Sequence, residues 1–214
     1  MKSQKITIIL LAVLALILSL GLIISQSFSS SKKAGKEALV ERGFYQFSKP
    51  RDLAPVPLKN LEGDNVTLTD RHKQWQLVNF GYMFCPDICP INLRFMSDIK
   101  GVWDQANKAL PLAITHITFD PERDTPDKLQ PYLEYHNSHY DGLTGELENI
   151  RKVAQQLNVI FIHEKPDQYG NYFISHSDSI ALLNPQGQYI GMFKGPYNDR
   201  NVDEIVKTLG MVIK

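Results

Sequence analysis

The sequence predicts an α/β domain with a reactive turn at the carboxyl end of one strand, preceded by a single transmembrane helix. Three observations carry this prediction. Residues 6–24 form an almost unbroken apolar run of 19 residues. From about residue 45 onward, short apolar strand-like segments alternate with segments of helical periodicity. Cys85 and Cys89 lie between one such strand and the helix that follows it, where open α/β sheets place their sites.

The apolar run at 6–24 is long enough to cross a bilayer, because 19 residues at about 1.5 Å each reach roughly 28 Å. The core of a cleaved signal peptide is shorter, about 7–15 residues, although the small residues at 25–27 leave cleavage open. Lysines flank the run on both sides, at 2 and 5 and at 32, 33 and 36, so charge does not decide its orientation. We expect a tail at 1–5, an anchor at 6–24, a flexible Ser-, Lys- and Gly-rich linker at 25–44, and a domain at 45–214.

The elements of that domain follow from periodicity, turn residues and caps. An extended lead-in at 44–57 comes first. The predicted strands are 65–69, 77–82, 112–119, a short one at Leu143, 159–162, 179–183 and 189–193. The predicted helices run to about 108, then over 126–139, 146–158 and 199–211. A β-α-β half followed by a β-β-α half, with cysteines opening the first helix, is the thioredoxin arrangement. The N-terminal hairpin and the elements around the 146–158 helix are then additions to it.

Composition excludes some classes of function. The chain has 23 basic and 23 acidic residues, and the part from residue 45 onward has 17 and 21, a net charge of −4. A nucleic-acid-binding domain needs a basic patch, so we expect no nucleic-acid partner. Two cysteines are too few for a disulfide-stapled scaffold. Their closeness indicates a working pair of thiols.

Cys85 and Cys89 can act in two ways. At i and i+4 their Cα atoms lie close enough for a disulfide, and the helix N-terminus favours the thiolate form. Three residues separate them, where a redox dithiol usually has two, which leaves more room for a metal between the reduced sulfurs. Two thiolates with one imidazole suit copper or zinc, and two sulfurs match Cu(I) well.

Six histidines could supply the nitrogen ligand: His72, His116, His136, His139, His163 and His176. Surface or helix-cap roles are expected for His72, His136 and His139, and a hydrogen-bonded, buried or half-buried role for His116. His176 lies in a polar segment, predicted as a loop, which the thioredoxin arrangement brings beside the cysteine turn. The residues leave open whether it is a metal ligand or a general base.

Charged residues cluster at the same end of the sheet, after the strand at 112–119. Asp120, Glu122, Arg123 and Asp124 lie within five positions. They are interpreted either as a surface ion-pair loop or as a surface for docking a partner, and the sequence does not separate the two.

Several of these motifs together resemble the SCO/SenC family of membrane-tethered, thioredoxin-like copper proteins that take part in cytochrome c oxidase assembly. The resemblance covers about residues 45–212. It rests on Phe80-Gly81-Tyr82, on the segments Cys85-Pro86-Asp87-Ile88-Cys89-Pro90, Asp120-Pro121-Glu122-Arg123-Asp124-Thr125-Pro126 and Gly142-Leu143-Thr144-Gly145, and on His176 with the final hairpin.

The resemblance implies a copper site formed by Cys85, Cys89 and His176, with a redox disulfide between the two cysteines. It implies copper delivery to the copper-site subunit of a terminal oxidase, from a single-pass protein of the inner membrane whose domain faces the periplasm-like side. The copper donor and the thiol reductant are not implied. Ser175 stands before the histidine where an acid is common in the family, and Asp178 is a candidate to replace that acid.

Two enzymatic alternatives use the same thiols. A thiol–disulfide oxidoreductase would reduce cysteines of a copper-site protein, and an exposed Cys85 of low pKa would favour it. A peroxide-reducing enzyme is a third alternative, against which no additional acid or arginine beside Cys85 is evident from the sequence.

Overall fold

The computed structural model describes residues 18–21, 35–70, 74–107, 109–137, 139–197 and 200–213. The chain divides into two compact units, residues 1–41 and 42–214. In the first unit, residues 18–21 and 35–41 are helical. The predicted membrane span at 6–24 lies outside the described residues except for 18–21. Within the described ranges, no helix is both long enough and apolar enough to cross a membrane.

The second unit is built on a six-stranded sheet. Its strands are β1 (Phe44–Arg51), β4 (Trp75–Gly81), β5 (Leu112–Thr118), β6 (Tyr140–Leu143), β9 (Ser179–Leu183) and β10 (Tyr189–Lys194), in the order β1-β10-β9-β4-β5-β6. β4, β5 and β6 are parallel, whereas β9, β10 and β1 add antiparallel pairs on the other side of β4. β4 is paired on both edges and buried along most of its length. Its sequence is accordingly mostly apolar, and its two polar residues are Gln76 and Asn79.

In the part of this unit that the structure describes, four helices cover the sheet: α1 (Ile88–Ala106), α2 (Pro126–His136), α3 (Leu147–Gln156) and α4 (Val202–Val212). α1 packs against α2, α4, β4 and β5. Side chains alternate between the two faces of a strand. Val78 and Phe80 of β4 lie on one face, where they join a core that includes Ile150 and Val153 of α3. The α/β architecture and the thioredoxin-like order of its elements are as predicted.

The described residues of this unit also form two small hairpins. β2 (Leu58–Lys59) pairs with β3 (Asn65–Val66), and β7 (Phe161–His163) pairs with β8 (Ile174–His176). Strand 65–69 was predicted too long, because a 3₁₀ turn at Leu68–Asp70 follows Val66 almost at once. The predicted loop position of His176 is wrong, since the residue ends β8 and pairs with Phe161 across the hairpin.

Helix boundaries differ from the predictions by a few residues. α2 ends at His136 rather than 139, because Asn137 takes an extended conformation and its side chain donates to Ser97 Oγ. α3 ends at Gln156, and Asn158 adopts a left-handed φ of 60° just beyond it. α4 begins after Asn201, whose side chain accepts the Asp203 N–H.

Candidate metal centre

The cysteine turn joins the carboxyl end of β4 to the first turn of α1. Cys85 precedes the helix and is half-buried, whereas Cys89 lies in its first turn and is 1% exposed. The backbone N–H of Cys89 points at Cys85 Sγ, 3.5 Å away, and the N–H of Cys85 donates to the carbonyl of Tyr82. Cys85 Sγ therefore sits at the N-terminus of α1, where the helix dipole favours a negative sulfur. Both cysteines are free thiols.

Gly81, the last residue of β4, is the point where the sheet approaches the buried sulfur. A Cβ at this position would lie 3.0 Å from Cys89 Sγ and 3.0 Å from Cε1 of His116. Both contacts are tighter than most Cβ contacts in proteins, so any larger residue here would have to push the sulfur or the imidazole aside by a few tenths of an ångström.

His176 reaches the cysteines from the other side, on the inward face of the β7–β8 hairpin. Its Nε2 lies 3.6 Å from Cys89 Sγ, and its ring packs against Phe119 and edge-on to Tyr82. Its Nδ1 lies 3.1 Å from the carbonyl oxygen of Ser177. A carbonyl oxygen can only accept, so Nδ1 carries the proton in the neutral ring and Nε2 is left as the acceptor nitrogen that faces the sulfurs.

The three side chains make one ligand set. The ligand atoms of Cys85, Cys89 and His176 all lie within 4.8 Å of one another, and no other group of three or more His, Cys, Asp or Glu residues in the described ranges is so arranged. Two sulfurs and one imidazole nitrogen are soft to borderline donors, which suit Cu(I), Cu(II) or zinc and exclude magnesium and calcium. The set fits a soft metal ion.

The two thiols differ in acidity. The hydrogen bond from Cys89 lowers the pKa of Cys85 to about 3 against the opposing effect of burial, with help from His176. The same hydrogen bond, followed by burial and the charge of Cys85, raises the pKa of Cys89 well above its usual value. Burial lowers the pKa of His176, but its contacts with Cys85 and Ser177 outweigh burial and raise it. The pair thus gives up one proton readily and holds the second, which a metal must displace.

The other histidines that the structure describes take no part in this ligand set. His116 is fully buried and hydrogen-bonds to Asn79 through Nδ1, and burial lowers its pKa to about 3, so it is neutral, as expected of a core residue. Its position behind Gly81, close to Cys89, was not evident from the sequence. His163 packs between the rings of Phe161 and Tyr172. His72 lies outside the described residues.

The acidic cluster is not the surface feature that the sequence suggested. Asp120 and Asp124 are both 0% exposed. Asp124 accepts hydrogen bonds from the Met83 N–H and from Thr118 Oγ1, and Asp120 pairs with Arg123. Only Glu122 of the cluster is exposed. Both surface interpretations are therefore wrong for the two aspartates, because their carboxylates serve as internal acceptors at the carboxyl edge of the sheet.

Arg123 is an arginine beside the cysteine turn that the sequence did not reveal. Its guanidinium lies 4.8 Å from the centre of the Phe84 ring, next to Cys85 in the chain. The guanidinium forms a salt bridge with Asp120 and donates a hydrogen bond to the Tyr172 carbonyl. Its charge therefore lies toward the loop after β5 and the β7–β8 hairpin.

Asp178, the candidate substitute for an acid before the histidine, is half-buried behind the site. Its Oδ1 accepts from the side-chain amide of Asn92, in α1, at 2.8 Å. Burial raises the pKa of Asp178, while the charges of His176 and Arg200 act in the opposite direction. Asp178 thus contacts the helix, and its effect on His176 is exerted through charge.

Comparison with known proteins agrees with this site. The family model described as SCO1/SenC matches residues 51–211, which is most of the chain. The chain belongs to the SCO1/SenC family. A relative from Stutzerimonas stutzeri is 35% identical over 149 residues, covering 69% of this chain and 72% of that protein. The mouse mitochondrial SCO1 homologue is 31% identical over 180 residues, covering 84% of this chain but only 63%, less than two thirds, of the relative.

The fold is also that of solved SCO1/SenC structures. The structure of Bradyrhizobium japonicum ScoI with copper bound superposes with a TM-score of 0.62 at 29% identity, covering 73% of this chain and 96% of that one. The thioredoxin-like fold predicted from the order of elements is therefore the fold of the family. The Cys85–Cys89–His176 cluster lies within the matched region.

Proposed function

We propose that this protein binds one copper ion through Cys85, Cys89 and His176 and delivers it to the dinuclear copper site of a terminal oxidase. The observation that carries the proposal is the convergence of two sulfurs and one imidazole nitrogen within 4.8 Å. Membership of the SCO1/SenC family and a relative solved with copper bound support copper over zinc. Copper is cargo here, and the protein supplies a site that can hold it and release it.

The protein's own residues prepare that site. Cys85 is a thiolate at neutral pH, and the Ser177 carbonyl holds the His176 ring with Nε2 toward the sulfurs. Cys89 keeps its proton until a cation displaces it, so copper uptake and proton release are coupled. Oxidation of the two thiols to a disulfide would remove both sulfur donors and abolish the site.

The decisive test is copper stoichiometry and affinity for the full chain in detergent, fully reduced and kept anaerobic. We expect one tightly bound Cu(I), with affinity falling by more than about tenfold when His176 is replaced by Ala and lost when either cysteine is replaced by Ser. Absence of tight copper in the fully reduced protein would overturn the proposal.

A second candidate function is thiol–disulfide exchange, reducing cysteines of a copper-site protein. The observation in its favour is the asymmetry of the pair, a half-exposed thiolate at Cys85 and a buried thiol at Cys89. Cys85 would attack a partner's disulfide, and Cys89 would then displace the partner. The partner leaves with two thiols and Cys85–Cys89 becomes a disulfide, which an external thiol reductant must restore.

His176→Ala separates the two functions. We expect this variant to lose copper affinity but to reduce a model disulfide at a rate close to that of the unmodified protein. Equal loss of both properties would show that the histidine serves exchange as well as metal binding.

We also propose that residues 6–24 anchor the chain in the inner membrane by a single pass, with the domain at 45–214 on the periplasmic or outer side. The apolar run in the sequence and the family resemblance support this placement. In spheroplasts, added protease should digest the domain, whereas a domain that becomes digestible only after lysis would contradict the proposed orientation.

A further inference from the structure

The loop after β5 connects the two halves of the metal centre. Asp120 and Asp124 are four residues apart in it, and both are completely buried. A buried carboxylate must be hydrogen-bonded or paired to be tolerated, so its partners reveal what it organises.

Asp124 faces the cysteine half. One of its oxygens, Oδ2, accepts the backbone N–H of Met83 at 3.1 Å and the hydroxyl of Thr118 at 2.6 Å. Met83 lies two residues before Cys85. The carboxylate therefore fixes the start of the cysteine turn to the end of β5.

Asp120 faces the histidine half. Its Oδ1 accepts the hydroxyl of Tyr172 at 2.7 Å, and its Oδ2 pairs with Arg123. Arg123 in turn donates to the carbonyl of Tyr172 at 3.2 Å, with its guanidinium 3.7 Å from the centre of the Tyr172 ring. Tyr172 lies four residues before His176. These contacts hold the segment 164–173, here called the arm, which connects β7 to β8.

The histidine half needs such support. β7 and β8 have three residues each and form a separate two-stranded sheet, so few ladder hydrogen bonds fix the hairpin beyond the packing of Phe161 and Ile174 on the core. The hydroxyl of Tyr82 accepts the Ile174 N–H, which adds one direct hydrogen bond between the hairpin and the cysteine side.

We propose that Asp120, Arg123 and Tyr172 are positioning residues that hold His176 at ligand distance from the cysteines, while Asp124 does the same for the turn that carries Cys85. The inference rests on the proposed copper site. None of these four side chains contributes a ligand atom to the described trio. Their role is to keep two segments that come from different parts of the chain at the spacing that one ion requires.

Tyr172→Phe tests the histidine half, because it removes one hydroxyl and keeps the ring. The matched control is Tyr169→Phe on the same arm, where the ring is 79% exposed. Cu(I) affinity is measured by competition with a chromophoric chelator. We expect Tyr172→Phe to weaken Cu(I) binding about tenfold and the control to stay within about twofold, since a lost hydrogen bond to a charged group has an effect of this order.

Two readouts on the metal-free protein separate positioning from general loosening. Proton contacts between the rings of His176 and Phe119, whose centres are 5.0 Å apart, should weaken in NMR spectra of Tyr172→Phe. The alkylation rate of Cys85 by iodoacetamide should stay unchanged. If ring contacts and affinity both match the control, the inference is wrong, and it is equally wrong if Cys85 alkylation and the melting temperature change along with the affinity.

Asp124→Leu tests the cysteine half, with Asp124→Asn as its matched partner. Leu cannot accept the Met83 N–H, whereas Asn keeps an acceptor oxygen. We expect Asp124→Leu to change the alkylation rate of Cys85 several-fold and to weaken copper binding. Asp124→Asn should leave both the alkylation rate and the copper affinity close to those of the unmodified protein. Equal behaviour of the two variants would refute this half of the inference. If the unmodified protein binds no copper, the proposed function fails, and the metal-free readouts still decide the positioning role.

Discussion

The two halves of the metal centre are held in contrasting ways. The cysteine turn grows out of β4, a strand paired on both sides within the main sheet, and leads straight into a 19-residue helix. The histidine lies on a two-stranded hairpin outside that sheet. The hairpin is joined to the rest of the unit by hydrogen bonds at Tyr172 and Tyr82, by ring contacts and by the buried side chains of Phe161 and Ile174. A rigid half and a tethered half can hold an ion tightly and still separate locally, which suits the proposed release of copper to a partner.

The largest expected difference between the halves is in local stability. Amide hydrogen exchange should be at least about a hundredfold faster in β7 and β8 than in β4, because a two-stranded sheet has few ladder hydrogen bonds to break, whereas β4 is paired on both edges. Exchange measured by mass spectrometry or NMR on the reduced, metal-free protein checks this. Uniform protection across both halves would contradict the contrast.

A branched side chain at Gly81 should damage the rigid half. Gly81→Val is expected to destabilise the protein by about 1–3 kcal/mol, because its side chain would press on Cys89 Sγ and His116. Gly101→Ala is the matched control. Gly101 lies in α1 with nothing within 4 Å of its added Cβ, so this change should stabilise the helix by about 0.5–1 kcal/mol. Urea unfolding of both variants measures the difference, and similar values for the two would be inconsistent with close approach at Gly81.

The rigid half should also show its thiolate at low pH. Because the pKa of Cys85 is lowered to about 3, the sulfur is ionised at every pH well above that value. Alkylation of Cys85 by iodoacetamide should therefore be nearly constant between about pH 5 and 8, whereas an ordinary thiol of pKa about 8.5 reacts about tenfold faster per pH unit over the same range. A tenfold rise per unit at Cys85 would show that its pKa is not lowered.

The smallest expected effect is that of Asp178 on the tethered half. Its charge helps to raise the pKa of His176, so Asp178→Asn should lower that pKa, as followed by NMR titration. Copper affinity should fall only about twofold to fivefold, since the charge acts across a partly solvated site. If neither the titration nor the affinity changes, Asp178 does not replace the acid expected before the histidine.

The same contrast explains how much could be predicted. The cysteine turn, its strand and its helix are encoded within about 30 consecutive residues, by an apolar run, Pro-rich turn residues and helical periodicity, so their order and type were predicted correctly. β8 is three residues long and contains Ser175 and His176, which give no apolar alternation. Its pairing with β7 depends on a partner strand across an intervening loop, and local patterns do not report such pairing.

Burial of the aspartates was missed for a similar reason. Asp and Glu are usually exposed, so a charged loop is interpreted as surface. Asp124 and Asp120 are buried because their partners arrive from 41 and 52 residues away, at Met83 and Tyr172. One sequence feature does indicate burial: both aspartates follow the fully buried strand β5, at the sheet edge where the cysteine turn is predicted.

The distance along the chain between the ligands has a consequence for biosynthesis. Cys89 and His176 are 87 residues apart, and β9, which flanks β4, is made later still. A growing chain therefore displays its two thiols well before the imidazole exists to join them, and contacts of such long range form slowly. During that interval neither sulfur has the imidazole beside it, and a disulfide formed then would leave the proposed site without its sulfur donors.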